Sequence, residues 1–189
     1  MRRRVGCVAF ALLASVMAMS AWAQEVVTDG TNSYARFELR LPLGRGLEGR
    51  FPHMQAEWLP QPDGRWRVSV QLPADAAEIP GSPRYTRIMR GEMFFDSQHH
   101  PQLQFLSDPF DAGTLVRGGE YAGVMTIRGV SRRLSWRVAP TSCLPPVPRH
   151  CRIEATGAVS RRGYGMRALP GVVGDEVRFH LRITHGDTP

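Results

Sequence analysis

Six histidines, His53, His99, His100, His150, His180 and His185, are the chain's first candidates for metal or acid–base chemistry. His99 and His100 are adjacent, so on an extended segment they face opposite sides and cannot chelate one ion together. Asp96-Ser97-Gln98-His99-His100-Pro101 reads instead as a polar turn. His180 falls on the polar parity of the last apolar-alternating run, where exposure to water is expected. Asp108, Asp111, Asp175 and Glu176 lie beside turn residues, in places suited to capping rather than to paired acid and base catalysis. No Gly-x-Ser-x-Gly, His-Glu-x-x-His, Cys-x-x-Cys or phosphate-loop pattern occurs. All 24 residues counted as Lys plus Arg are arginine, which excludes Schiff-base and phosphate-loop lysine mechanisms. No catalytic set, metal centre or cofactor is expected from these residues.

The cysteines point to a compartment. Arg2, Arg3 and Arg4 precede an apolar run from Val5 to Met19, which leads to Ala21-Trp22-Ala23. Charged, apolar and small-x-small segments in that order make a secretory signal peptide, with cleavage expected after Ala23. Residues 24–189 are then one exported, periplasmic domain, retaining 21 arginines against 17 acids where the whole chain carries +7. That mild charge, spread singly along strand-like runs, argues against a nucleic-acid partner. No second apolar run is long enough to span a bilayer, which takes about 20 residues. Cys7 leaves with the signal, so Cys143 and Cys151 remain as an even pair bracketing a proline-rich loop. In an oxidising compartment a disulfide is the simplest reading. A metal site using Cys143, His150 and Cys151 is the rival, and it lacks a fourth ligand.

The elements that would position these groups have a period of two. Phe37, Leu39 and Leu41 alternate with Arg36, Glu38 and Arg40, and Trp66, Val68, Val70 and Leu72 alternate with polar neighbours. Leu134, Trp136 and Val138 do the same, as do Val177, Phe179, Leu181 and Ile183. Such runs are half-buried antiparallel strands. Weaker strands are predicted over 47–59, 102–108, 120–128 and 152–160, the first with a bulge near Pro52, where its apolar parity changes. Ser82-Pro83 and Gly91 bracket a short helix at about 82–90. The fold class expected is all-β: a single eight-stranded antiparallel barrel with a short helical insertion. Phe37, Leu39, Trp66, Val68, Phe105, Met125, Trp136 and Phe179 should face inward, with Arg67 and Arg178 outside.

The interior of such a barrel is rich in flexible residues. Met54, Met89, Met93, Met125 and Met166 join Phe37, Phe51, Phe94, Phe95, Phe105 and Trp136. Methionine suits a lining that must fit an irregular ligand, and the same residues would also make a well-filled core.

The order of motifs resembles the YceI-like family, exported bacterial proteins with a lipocalin-like barrel that bind polyisoprenoid or similar long-chain lipids. Asn32-Ser33-Tyr34-Ala35-Arg36-Phe37 is similar to its first strand, and Leu47-Glu48-Gly49-Arg50-Phe51 to its Gly-x-Phe turn. Arg90-Gly91-Glu92-Met93-Phe94-Phe95-Asp96 and His100-Pro101-Gln102-Leu103-Gln104-Phe105 resemble its helix end and next strand. Gly123-Val124-Met125-Thr126-Ile127-Arg128-Gly129-Val130 resembles its most recognisable strand-turn. Arg161-Arg162-Gly163-Tyr164-Gly165-Met166 and Gly174-Asp175-Glu176-Val177 resemble its closing block. Leu41 and Ile88 stand where the family often has histidine, whereas Arg90 matches its arginine. The resemblance implies a non-catalytic carrier of an isoprenoid-type lipid, a polyprenyl chain or a quinone, with a hydrophobic small molecule as its partner. The lining set expected is Phe37, Leu39, Phe51, Met54, Met89, Met93, Phe94, Phe105, Met125, Ile127, Trp136 and Phe179, with Arg90 at the mouth for a head group. A fully packed barrel acting as an interaction module is the alternative, and an unrecognised periplasmic enzyme comes last.

Overall fold

The computed structural model describes residues 33–42, 46–144 and 151–185. The signal segment 1–23 and the loop 145–150 with His150 lie outside the described residues. Nine strands form one antiparallel sheet. They are β1 Tyr34–Arg40, β2 Gly46–Phe51, β3 Gln55–Pro60, β4 Trp66–Pro73, β5 Gln102–Ser107, β6 Gly119–Ile127, β7 Val130–Val138, β8 Cys151–Ser160 and β9 Glu176–His185. Their order across the sheet is β2-β1-β9-β8-β7-β6-β5-β4-β3. The two outermost strands are consecutive in sequence, joined by Pro52, His53 and Met54. Four Cα steps of about 3.8 Å allow the two sheet edges to stand no more than about 15 Å apart there, so the sheet curls round as a barrel whose edges are joined by this covalent corner and not by a ladder.

The corner corrects the expected count of eight. The segment 47–59 is not one bulged strand but two, because Pro52 lacks the N–H a continuing ladder requires. β2 pairs with β1 and β3 with β4, so the two halves serve opposite edges of the sheet. A two-residue bridge between Arg50 and Glu78 covers part of the β2 edge.

Local sequence accounts for the rest. β6 and β7 turn through Arg128 (φ 52°) and Gly129 (φ 71°), both left-handed, the backbone that two-residue hairpins of type I′ require. The helix α1, Pro83–Arg90, starts as predicted: Ser82 caps it by accepting from the Tyr85 N–H, with proline in its first turn. Alternation holds through the wall, and Phe37 pairs with Phe179 across β1 and β9. Arg178 is exposed and Arg67 half-buried, both on the outward parity. Phe37, Phe51 and Phe179 are at most 1% exposed, and burying each contributes about 1.5–3 kcal/mol.

The wall is thin in one place. β7 and β8 share register at Arg137 with Thr156 and Val138 with Ala155, and at no other described pair. Beyond it the strands splay, and side chains span the gap. The Arg132 guanidinium donates to the Gly163 carbonyl. The Trp136 ring lies on Gly157, where an added Cβ would come within 3.0 Å of it.

Candidate functional site

The barrel has two ends. At one, the turn Ala112–Val116, Phe110 and the Cys143–Cys151 disulfide pack against Trp58 and Ile153. The pairing expected of the cysteines is therefore present, with Cα atoms 5.6 Å apart. At the other, the cap end, α1 and the segment after β8 cover the interior with Met89, Phe94, Phe95 and Met166.

Each end encloses an apolar cavity. The one beneath the disulfide end has a volume of about 60 Å³ and includes Trp58, Val68, Phe105, Ser107, Tyr121 and Trp136 in its lining. The cap-end cavity is about 20 Å³, lined by Phe37, Leu39, Met89, Phe94, Ile127 and Phe179 together with Phe95, Val159, Arg161, Met166 and Val177. An aromatic partition separates them. Phe105 and Trp136 stand 5.7 Å apart between ring centroids, Trp136 and Phe179 6.2 Å, and Phe37 and Phe179 6.1 Å. Gly49 makes room for it, since a Cβ there would fall 2.0 Å from Phe37 Cζ.

The predicted residues thus divide. Phe37, Leu39, Met89, Phe94, Ile127 and Phe179 converge on one cavity and Phe105 and Trp136 on the other. Phe51, Met54 and Met125 are buried in the surrounding core without lining either. Met93 was expected inside and is 54% exposed. Gly91 ends α1, and the tight turn in which the Phe94 and Phe95 N–H groups donate to the Gly91 and Met89 carbonyls carries those rings inward and leaves Met93 outside. Arg90 donates from Nε to the Ala77 carbonyl at 2.7 Å, bracing the loop before α1.

Two polar groups inside were not anticipated. Arg161 is 1% exposed, and its guanidinium donates to the carbonyls of Met166, Ala168, Val173 and Gly174 at 2.6–2.8 Å. Burial pushes its pKa down, while a guanidinium remains charged at any ordinary pH. The signal was in the alternation: Cys151, Ile153, Ala155, Gly157 and Val159 point inward along β8, and residue 161 continues that parity. The second is the Trp136 indole, whose buried Nε1 has no hydrogen-bond partner among the described residues. Nearby, the buried Ser107 hydroxyl oxygen accepts from the Val68 N–H at 2.8 Å. No charged side chain lines the larger cavity among the described residues.

Outside the cavities, the acids serve turns. Asp111 accepts from the Gly113 N–H and Asp175 from the Ser160 hydroxyl and the Arg162 N–H, whereas Asp108 forms an ion pair with Arg133 of β7. Asp96, in a left-handed conformation (φ 50°), meets His99 Nδ1 at 2.8 Å. That hydrogen bond holds the Asp96 carboxyl below its usual range and raises the His99 imidazole above it. No group of three or more metal-ligating side chains occurs among the described residues. The arrangement is an apolar, methionine- and aromatic-lined interior into which, among the described residues, the Trp136 indole brings an unpartnered N–H.

Comparison with known proteins places the fold and the family. No match was found among functionally curated proteins. The structure is similar to BcnA of Burkholderia cenocepacia, with a TM-score of 0.64 at 18% identity, covering 83% of this chain and 98% of that one. It is also similar to a polyisoprenoid binding domain from Saccharophagus degradans implicated in plant cell wall breakdown, with a TM-score of 0.60 at 12% identity, covering 80% and 91%. A Campylobacter jejuni YCEI protein matches with a TM-score of 0.58 at 14% identity, covering 79% and 90%. The family model of the YceI-like domain matches residues 27–185, the whole of the described barrel, and the chain belongs to the YceI-like family.

Proposed function

We propose that the protein is a non-catalytic periplasmic carrier that holds a long-chain isoprenoid-type lipid, a polyprenyl chain or a quinone, along the barrel axis. The observation that carries this reading is the pair of apolar cavities stacked on either side of an aromatic partition. The fold is shared with a polyisoprenoid binding domain, which supports the ligand class. β8 and β9 have ten residues each, about 33 Å of wall, enough for several isoprene units. Small-molecule sites usually measure about 300–1,000 Å³, so uptake requires the partition to rotate aside and Met89 and Met166 to change rotamer. Thioether side chains do this at low cost. The apolar chain would gain about 25 cal/mol for each Å² of apolar surface withdrawn from water. Its polar terminus would take the Trp136 N–H, which is buried without a partner among the described residues, while Arg90, the expected head-group donor, holds the Ala77 carbonyl through Nε and keeps its other N–H groups.

The cavity volumes of about 60 and 20 Å³ also favour a second reading, a packed barrel that serves as an interaction module. Organic extraction of protein purified from its own periplasm, followed by mass spectrometry, separates the two. A stoichiometric isoprenoid lipid is the expected result; lipid-free protein that takes up no prenyl chain supports the module.

A further inference from the structure

The cap end differs from the rest of the surface in two independent ways. Tyr85 and Met93 on and after α1, and Leu169 and Val172 in the loop after β8, are each between 45% and 54% exposed. Of the other large apolar residues exposed among the described ones, Val116 stands at the disulfide end, Leu106 and Val124 pair on the outer wall of β5 and β6, and Val130 opens β7. Charge is polarised along the same axis. The cap-end segments 74–100, 128–132 and 161–175 hold eight arginines against five acids, whereas 61–65, 108–120 and 139–144 hold two against four. Arg84, Arg87 and Arg167 are exposed and have no ion-pair partner among the described residues.

The loop that carries Leu169 is built to project it. Arg161 grips its carbonyls from inside, at Met166, Ala168, Val173 and Gly174. Leu169 itself is left-handed (φ 51°), a conformation that a branched apolar residue adopts at a cost and that here leads into solvent rather than into the core.

We infer that the cap end is a docking surface for an anionic phospholipid bilayer. Guanidinium groups pair with lipid phosphates as forked donors, and a negatively charged leaflet attracts basic segments close to it. Single apolar tips among arginines enter the boundary between head groups and acyl chains, which is how a protein lies on a membrane without spanning it. No helix among the described residues is long and apolar enough to cross a bilayer. Docking in this orientation sets α1, the cover of the cap-end cavity, against the lipid surface. The inference rests on the surface alone and does not require the ligand proposed above.

Flotation with phosphatidylcholine vesicles containing or lacking phosphatidylglycerol tests it, using exported protein with a common N terminus. The wild type floats with the anionic vesicles and loses most of that binding in high salt. Arg84→Glu with Arg87→Glu weakens partition about tenfold or more, since each basic residue contributes about fivefold. Leu169→Asp with Val172→Asp weakens it to a similar degree without loss of fold, because aspartate tolerates the left-handed backbone. Val116→Asp with Arg117→Glu, a matched change at the disulfide end, leaves partition unaltered. Wild-type protein that ignores phosphatidylglycerol overturns the inference, as does equal loss in the Val116→Asp/Arg117→Glu control. Cap variants that keep vesicle binding but lose one stoichiometric protein partner would make this a protein-docking face instead. Lipid content measured by mass spectrometry on the same preparations reports separately on the carrier reading.

Discussion

Replacing Trp136 by phenylalanine should cost the lipid-stripped protein almost nothing, although the residue is only 3% exposed. Truncating a buried tryptophan to alanine usually costs about 3–5 kcal/mol. Phenylalanine keeps a ring between Phe105 and Phe179, so both ring contacts persist. The side chain shrinks by roughly 40 Å³, a cavity cost near 1 kcal/mol at about 24 cal/mol per Å³, and the lost transfer free energy of the removed atoms adds about 1 kcal/mol more. Against that stands the indole N–H, buried without a partner. An unsatisfied buried donor carries a penalty of about 1–3 kcal/mol, which the substitution removes. The net change falls within about 1 kcal/mol of zero. Urea unfolding followed by far-ultraviolet circular dichroism measures it directly. The same variant should then hold a prenylquinone roughly three- to tenfold more weakly, because the ligand carbonyl loses its hydrogen bond. A loss of more than about 2 kcal/mol in the stripped protein would show that Nε1 is bonded after all. In that case the assignment of Trp136 as the free donor fails.

Arg161→Met should destabilise the protein by about 2–4 kcal/mol, four lost carbonyl bonds offset in part by the recovered desolvation of the guanidinium. Hydrogen exchange should quicken across 166–175, and a cost under about 1 kcal/mol would refute the brace. The Asp96–His99 pair predicts a pH dependence with a definite sign. Its contribution is complete between the ordinary aspartate value of 3.8 and the ordinary histidine value of 6.5. It is lost as pH rises through the raised His99 pKa, and on the acid side as pH falls through the lowered Asp96 pKa. NMR titration should place His99 above 6.5 in the wild type and return it to the ordinary range in Asp96→Asn; an unshifted wild-type His99 contradicts the pairing. Replacing Cys143 and Cys151 by serine opens a loop whose ends are 8 residues apart, which should cost about 2–3 kcal/mol in equilibrium unfolding. An unchanged midpoint would mean that the bridge constrains nothing in the unfolded chain.

The sequence alone determined whatever depends on near neighbours along the chain. Alternation places Phe37, Val68, Phe105, Trp136 and Phe179 inside because successive side chains of a strand face opposite ways. Ser82, Pro83 and Gly91 bound α1 because capping is satisfied within a single turn. Arg128-Gly129 turns the hairpin because two left-handed residues suffice. Whether 47–59 is one strand or two was decided by the ladder, since β1 and β4 claim its halves from opposite edges. Arg161 goes inside because carbonyls from a loop five to thirteen residues later come round to meet it, and local polarity argues the other way. Met93 goes outside because the turn after Gly91 reverses the facing of the residues that follow. The size of the cavities and the unspent Trp136 donor depend on which rings from several strands meet on the axis, and no stretch of local pattern contains that meeting.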